Sequence, residues 1–167
     1  MQQTPCEGAV APSIPPLRIA APEDLERRAC SIAVQYWRGI AGAQRYPSRR
    51  QVTQESAREL WDHLFIIQVA SNPADSIFVQ AGAVLSRALG RDLTGHKVAD
   101  MLPHDVVARA LYFQRTSCDL MAPIDEAGKW TRPDGTTLLY RSVVMPLSDD
   151  QRSANYLLGA FSYRPVA

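Results

Sequence analysis

The stretch that most limits what this chain can become runs from Leu64 to Pro103. In its opening run, Leu-Phe-Ile-Ile-Gln-Val-Ala, the residues Phe65, Ile67 and Val69 point one way along a strand, and Leu64, Ile66 and Gln68 the other. Both sides are mostly apolar, so the strand belongs in a sheet that is covered on both faces. Ser71-Asn72-Pro73 supplies a turn, and Asp75–Gln80 reads as a second strand able to fold back as a hairpin. Gly82 then opens a short helical stretch with Val84, Leu85, Ala88 and Leu89 on one side. Gly90 ends it, where a helix C-cap favours a residue that tolerates positive φ.

Something must cover the two faces of that sheet, and the flanking sequence offers two helices. The first is expected from Pro22 or Glu23 to about Gly39, with proline in the first turn and Glu23 and Asp24 near the positive helix end. At about 100° per residue, Leu25, Ala29, Ile32, Ala33, Tyr36, Trp37 and Ile40 share a face that Cys30, Val34 and Ala41 extend. Arg27, Arg28, Ser31, Gln35 and Arg38 form the narrower polar side. The apolar arc approaches half the circumference, wider than one contact normally demands. Such an arc fits a helix lying over a sheet with its margin shielded, or a helix shared between its own domain and a second copy.

Between this helix and the first strand, the loop Gly42–Arg50 carries three arginines. It reads as a solvated basic loop or a contact for an anionic partner. Thr53 is placed as an N-cap for a short helix over Ser56–His63, which turns Leu60, Trp61 and Leu64 toward the core.

The second covering helix is expected from Pro103 to about Cys118, after a turn at Thr94-Gly95. Its apolar arc holds Val106, Val107, Ala110, Leu111 and Phe113, with Gln114 inside the arc and Ser117 and Cys118 beside it. An amide on a buried stripe must find a hydrogen-bond partner or cost about 1–3 kcal/mol. Backbone, water or a ligand could be that partner. Three strands follow, at Ile124–Thr131, Thr136–Leu147 and Asn155–Tyr163. Arg132-Pro133-Asp134-Gly135 makes a turn between the first two, and Ser148-Asp149-Asp150 begins a polar turn before the last.

Composition excludes several function classes. A formal net charge of +1 gives no global field to steer nucleic acid or an anionic membrane. No apolar run approaches the ~20 residues of a membrane span, and no charged-then-apolar N-terminus suggests a secretory signal. Cys6, Cys30 and Cys118 are scattered, without metal-ligand spacing, and read as reduced thiols in a cytoplasm, with Cys30 and Cys118 as small buried hydrophobes. Met1–Pro22 contains five prolines and no periodicity, and is expected as an extended tail. The chain has no nucleophile elbow, phosphate loop, dinucleotide fingerprint or zinc-protease motif, so neither a catalytic site nor a metal site is expected.

Two strands, a short helix ending at Gly-Arg-Asp, and a Thr-Gly turn leading to Met-Leu-Pro resemble the first half of a PAS sensor domain. The phrase from Ala88 to Pro103, ALGRDLTGHKVADMLP, carries the resemblance, which extends from about Tyr36 to Tyr163. It is to short bacterial proteins built around a single PAS domain. The resemblance implies an α+β fold: a five-stranded antiparallel sheet with flanking helices, here with an extra N-terminal helix. The expected organisation is a tail over 1–22, a helical region over 23–62 and the PAS domain over 63–167.

In PAS domains the second main helix and the inner sheet face enclose a ligand cavity, which makes Gln114, Leu111, Val107, Cys118 and Leu89 the expected lining. Some PAS domains hold haem through one histidine, so His96 and His104 are weighed for that role, although both sit at helix edges or in loops. The flavin photoreceptor branch needs a cysteine in an Asn-Cys-Arg-Phe-Leu-Gln context, which this chain lacks. The identity of any cofactor stays open. The resemblance implies a cytoplasmic sensor or adaptor that binds a small molecule and acts through a signalling partner, or else a ligand-free interaction module. A homodimer through the N-terminal helix is also a habit of the fold.

Overall fold

The computed structural model describes residues 22–166. In chain order these form α1 (Pro22–Ala41), α2 (Gln54–Ala57), β1 (Leu64–Gln68), β2 (Ile77–Ala81), α3 (Ala83–Leu89), α4 (Val98–Met101), α5 (His104–Leu120), β3 (Ile124–Thr131), β4 (Thr137–Leu147) and β5 (Tyr156–Pro165). All five strands join one sheet in the order β2-β1-β5-β4-β3, and each neighbouring pair is antiparallel. The expected α+β fold, with its flanking helices and additional N-terminal helix, is the observed one. The expected tail over 1–22 lies outside the described residues except for Pro22, the first residue of α1.

Local chemistry sets most element ends. Thr53 caps α2, accepting the Ser56 N–H through its hydroxyl, as expected. The helix it starts is short, because the chain passes directly into a 3-10 stretch over Arg58–His63 that delivers buried Leu60 and His63 to the sheet edge. A carbonyl can only accept, so the His63 Nδ1–H donates to the Phe161 carbonyl at 3.0 Å. The first strand ends at Gln68, earlier than expected. Asp75 is not in a strand: Asn72 caps a 3-10 turn over Pro73–Asp75, accepting the Ala74 N–H through Oδ1. Gly90 closes α3 at φ +73°, and Gly135 takes φ +88° in the β3–β4 turn, donating to the Arg132 carbonyl at 2.9 Å.

One irregularity sorts side chains between the faces. The β1–β2 register shifts between Ile66, which faces Gln80, and Ile67, which faces Phe78. Val79 is thus the extra residue of a bulge, so Phe78 and Ala81 both reach the inner face although three positions apart, while Val79 packs on the outer one. The free edge of β2 is covered in turn. Phe78 exchanges backbone hydrogen bonds with Gly95 and His96, which closes an edge that could otherwise pair with another chain.

The sheet carries a core on each face. On the outer face α1 lays Leu25, Ala33, Tyr36 and Trp37 over Leu64, Ile66, Val143, Met145, Leu147, Leu158 and Ala160. Its wide apolar arc is largely taken up there. Residues along the middle are buried, and Cys30, Ile32, Val34 and Ile40 at the margins are half-buried against the same cluster. The Trp37 indole donates to the Pro146 carbonyl at 2.7 Å, so this face is dry without an unpaired donor at its centre. On the inner face α3, α4 and α5 cover Phe65, Ile67, Phe78, Trp130, Leu138, Tyr140, Val144, Leu157 and Phe161.

Candidate functional site

The inner layer does not close completely. Between α5 and the sheet lies a cavity of about 60 Å³, walled by Phe65, Phe78, Trp130, Tyr140 and Phe161 from the strands and by Leu85, Leu89, Val106, Ala110, Phe113 and Gln114 from the helices. Glycines let the aromatic floor lie flat. A Cβ at Gly159 would collide with the Phe65 ring, and one at Gly128 would stand 2.7 Å from the Tyr140 hydroxyl. Tyr140 stacks on Phe161 at 5.8 Å between centroids and meets Trp130 edge-on at 6.4 Å.

Of the five residues expected to line the cavity, Gln114 and Leu89 do so. Leu111, Val107 and Cys118 do not, although Leu111 and Cys118 pack against the same inner cluster. The cavity-facing row of α5 is Val106, Ala110, Phe113 and Gln114. Leu111 lies about 100° around from Ala110, on the flank, and Cys118 is one turn beyond Gln114. Val107 lies within about 20° of Gln114 in projection but two turns nearer the helix start, so position along the axis takes it out of the lining.

Gln114 is 6% exposed, whereas Tyr112, on the opposite side, is 66% exposed. Its neighbour Ser117 is fully buried and satisfied, its hydroxyl donating to the Ala122 carbonyl at 2.7 Å and lying 3.2 Å from the Val144 carbonyl. Gln114 Oε1 is buried with no donor. The backbone therefore does not satisfy this oxygen.

Sequence reasoning missed Glu126, which also lines the cavity. In β3 the residues Ile124, Glu126, Gly128 and Trp130 alternate onto the inner face, so the same argument that singled out Gln114 on a helix was available here at period two. The Glu126 side chain is 10% exposed. Arg109 Nε stands 3.2 Å from its Oε2, close enough to pair in charge, but the N–H is not aimed at the oxygen, which has no hydrogen-bond donor. Arg109 instead donates through Nη2 to the Ala127 carbonyl at 3.0 Å and lies over the Phe113 ring, strapping α5 to β3. Burial raises the Glu126 carboxyl above its ordinary value, and the Arg109 charge opposes part of that rise. Burial also raises the Tyr140 hydroxyl, with the Glu126 charge adding to it.

Other chemistry is remote from the cavity. Neither His96 nor His104 lines it; both are exposed, and about 60 Å³ is far too small for a porphyrin ring, so haem does not fit. Burial pushes the Cys30 thiol up to about 12 and the Cys118 thiol to about 11, which keeps both protonated and unreactive near neutrality. Among the described residues no cluster of His, Cys, Asp and Glu could hold a metal ion, and no helix is long and apolar enough to cross a membrane.

Comparison with curated proteins finds none that matches. Among solved structures the chain is similar to the Rhodobacter sphaeroides LOV protein, with 14% identity and a TM-score of 0.47 over 63% of this chain and 59% of that one. It is also similar to the LOV domain of the Erythrobacter litoralis blue-light activated histidine kinase, with 15% identity and a TM-score of 0.46 over 62% of this chain and 96% of that one. A third is the Drosophila melanogaster Cycle PAS-B domain with bound ethylene glycol, at 10% identity and a TM-score of 0.45 over 60% and 99%. A family model described as a PAS domain matches residues 26–162, beginning inside α1 and ending within β5. That match takes in all but the first turn of the outer helix, the whole sheet but its last residues, and every wall of the cavity: the chain belongs to the PAS domain family.

Proposed function

We propose that this protein is a regulatory sensor whose inner cavity binds a small amphipathic molecule and whose output is a contact with another protein. One observation carries the reading: an apolar cavity closed by α5 keeps two buried oxygens, Gln114 Oε1 and Glu126 Oε2, without a donor. Buried polar atoms are nearly always paired, and a pocket with a few convergent polar groups is the usual form of a small-molecule site. The protein acts by binding and not by catalysis. Its place in this reading is the cytoplasm.

Native mass spectrometry of freshly purified protein tests the reading directly, since it reports bound mass and oligomeric state together. The expected result is a retained small mass that Gln114→Leu loses while the fold survives. A wild-type protein that is empty, and that shows no small-molecule response in cavity signals, would reject it.

The alternative is a ligand-free interaction module, favoured by the small volume and by Leu85, Leu89 and Phe113 already crowding the cavity. The half-buried margin of α1, with Ile32, Val34 and Ile40, supports a homodimer as that module's form. A full-length chain that scatters light as a monomer at high micromolar concentration would count against the dimer.

A further inference from the structure

Among the described residues, the buried side-chain polar atoms left without a hydrogen-bond partner are one-sided. Gln114 Oε1 and Glu126 Oε2 are both acceptors, and although the Tyr140 and Ser142 side chains also belong to the lining, neither hydroxyl donates to these oxygens. Arg109 offsets the Glu126 charge from the half-exposed rim, without directing an N–H to Oε2. An anionic head could accept from the Gln114 amide or the two hydroxyls, but it would face the Glu126 carboxylate and leave both buried acceptors unpaired. A neutral acceptor would leave both oxygens unpaired. An ammonium brings three donors and no acceptor, together with the opposite charge to Glu126. The rest of the lining is hydrocarbon and aromatic, so the body behind that head must be apolar. Volume limits the body: about 60 Å³ is well under the ~150 Å³ of an engineered cavity that holds benzene.

We propose that the cavity takes a small primary amine, a short apolar tail behind an ammonium whose donors sit on Gln114 Oε1 and Glu126 Oε2. This rests on the sensor reading above and adds the chemical class of its ligand. Glu126 selects the head by charge, Gln114 supplies a second acceptor, and Arg109 positions the Glu126 carboxylate from outside.

The test uses three probes that differ only in their head: butan-1-amine, butan-1-ol and butanoate, at about pH 7, where the amine is protonated. Each is titrated into the full chain while the backbone amides of residues 113–117 and 124–130 are followed by NMR. The amine is expected to bind about tenfold tighter than the alcohol, as a charge-assisted hydrogen bond exceeds a neutral one, and butanoate is expected not to bind. Glu126→Gln should bring amine and alcohol within about twofold of each other, and Gln114→Leu should weaken both. Butanoate binding as well as the amine, or an amine preference that survives Glu126→Gln, would overturn the assignment of the head and leave the cavity reading standing. If none of the three probes moves the cavity amides, both fall.

Discussion

The two faces of the sheet are built from adjacent residues of the same strands and finish in different states. On β4, Val143 and Met145 go to the outer face and Val144 to the inner one; on β5, Leu158 and Ala160 go out, Leu157 and Phe161 in. Outside, one long helix lies on aliphatic side chains, and the buried indole of Trp37 has a carbonyl to bond. Inside, three helices meet an aromatic floor that they do not fill, and two acceptors have no hydrogen-bond donor. The difference teaches that burial and satisfaction are separate properties. The outer face is filled and its buried indole bonded, whereas the inner face holds hydrogen-bonding capacity open in a place where leaving it open is unfavourable.

The sharpest way to break this contrast is to remove equivalent side chains from both faces. Leu158→Ala, at a fully buried outer position, is expected to cost about 3–5 kcal/mol in urea unfolding, and Leu89→Ala at the half-buried cavity wall about 2 kcal/mol or less. Equal losses would mean that the inner face is packed as tightly as the outer one. A second pair should differ in sign. Ala33→Val, on the sheet-facing side of α1 with no exposure, overpacks the outer core and should cost about 1–3 kcal/mol. Ala110→Val adds two methyls beside the cavity and should add about 0.5–2 kcal/mol of stability while blocking any ligand.

Smaller effects separate the two acceptors. Gln114→Leu removes an unpaired oxygen from an apolar row and should leave thermal stability within about 1 kcal/mol of wild type, or raise it. Glu126 should make stability depend on pH. Its carboxyl is raised in the folded protein, so the fold binds this proton more tightly than the unfolded chain does. Its contribution is present in full below the ordinary value of 4.5 and is lost as pH rises through the raised one, with Arg109 opposing the loss and Tyr140 packed nearby. Glu126→Gln should therefore flatten the decline in stability above pH 4.5, measured by denaturant midpoints at a series of pH values. An unchanged slope would show that Arg109 already compensates the charge.

Much of the fold was legible in the sequence because it is specified locally. Leu64–Gln68 is apolar on both parities, Gly90 and Gly135 stand where φ is positive, and Thr53 is a capping residue where a helix starts. What was not legible is set by contacts between distant segments. The Val79 bulge depends on the pairing of β2 with β1, and Asp75 was drawn from its expected strand by the Asn72 cap. The site divides the same way. Gln114 stood out as a polar residue on an apolar helix row, whereas Val107, Leu111 and Cys118 were expected in the lining because sequence gives a helix's apolar arc but not which part of it faces the gap. Glu126 was readable in principle, but a short alternating strand signals less strongly than a long helix, and Gly128 beside it weakened the pattern further.

β5 is the last of the five strands to leave the ribosome, yet it lies between β1 and β4. Without it the ladders fall into two separate hairpins, β1 with β2 and β3 with β4, and no backbone pairing joins them. Each hairpin then shows an unpaired edge and two apolar faces, the kind of surface that invites association with other nascent chains. Its insertion pairs Leu64–Gln68 on one side and Leu138–Leu147 on the other in a single event, across a long sequence separation from β1.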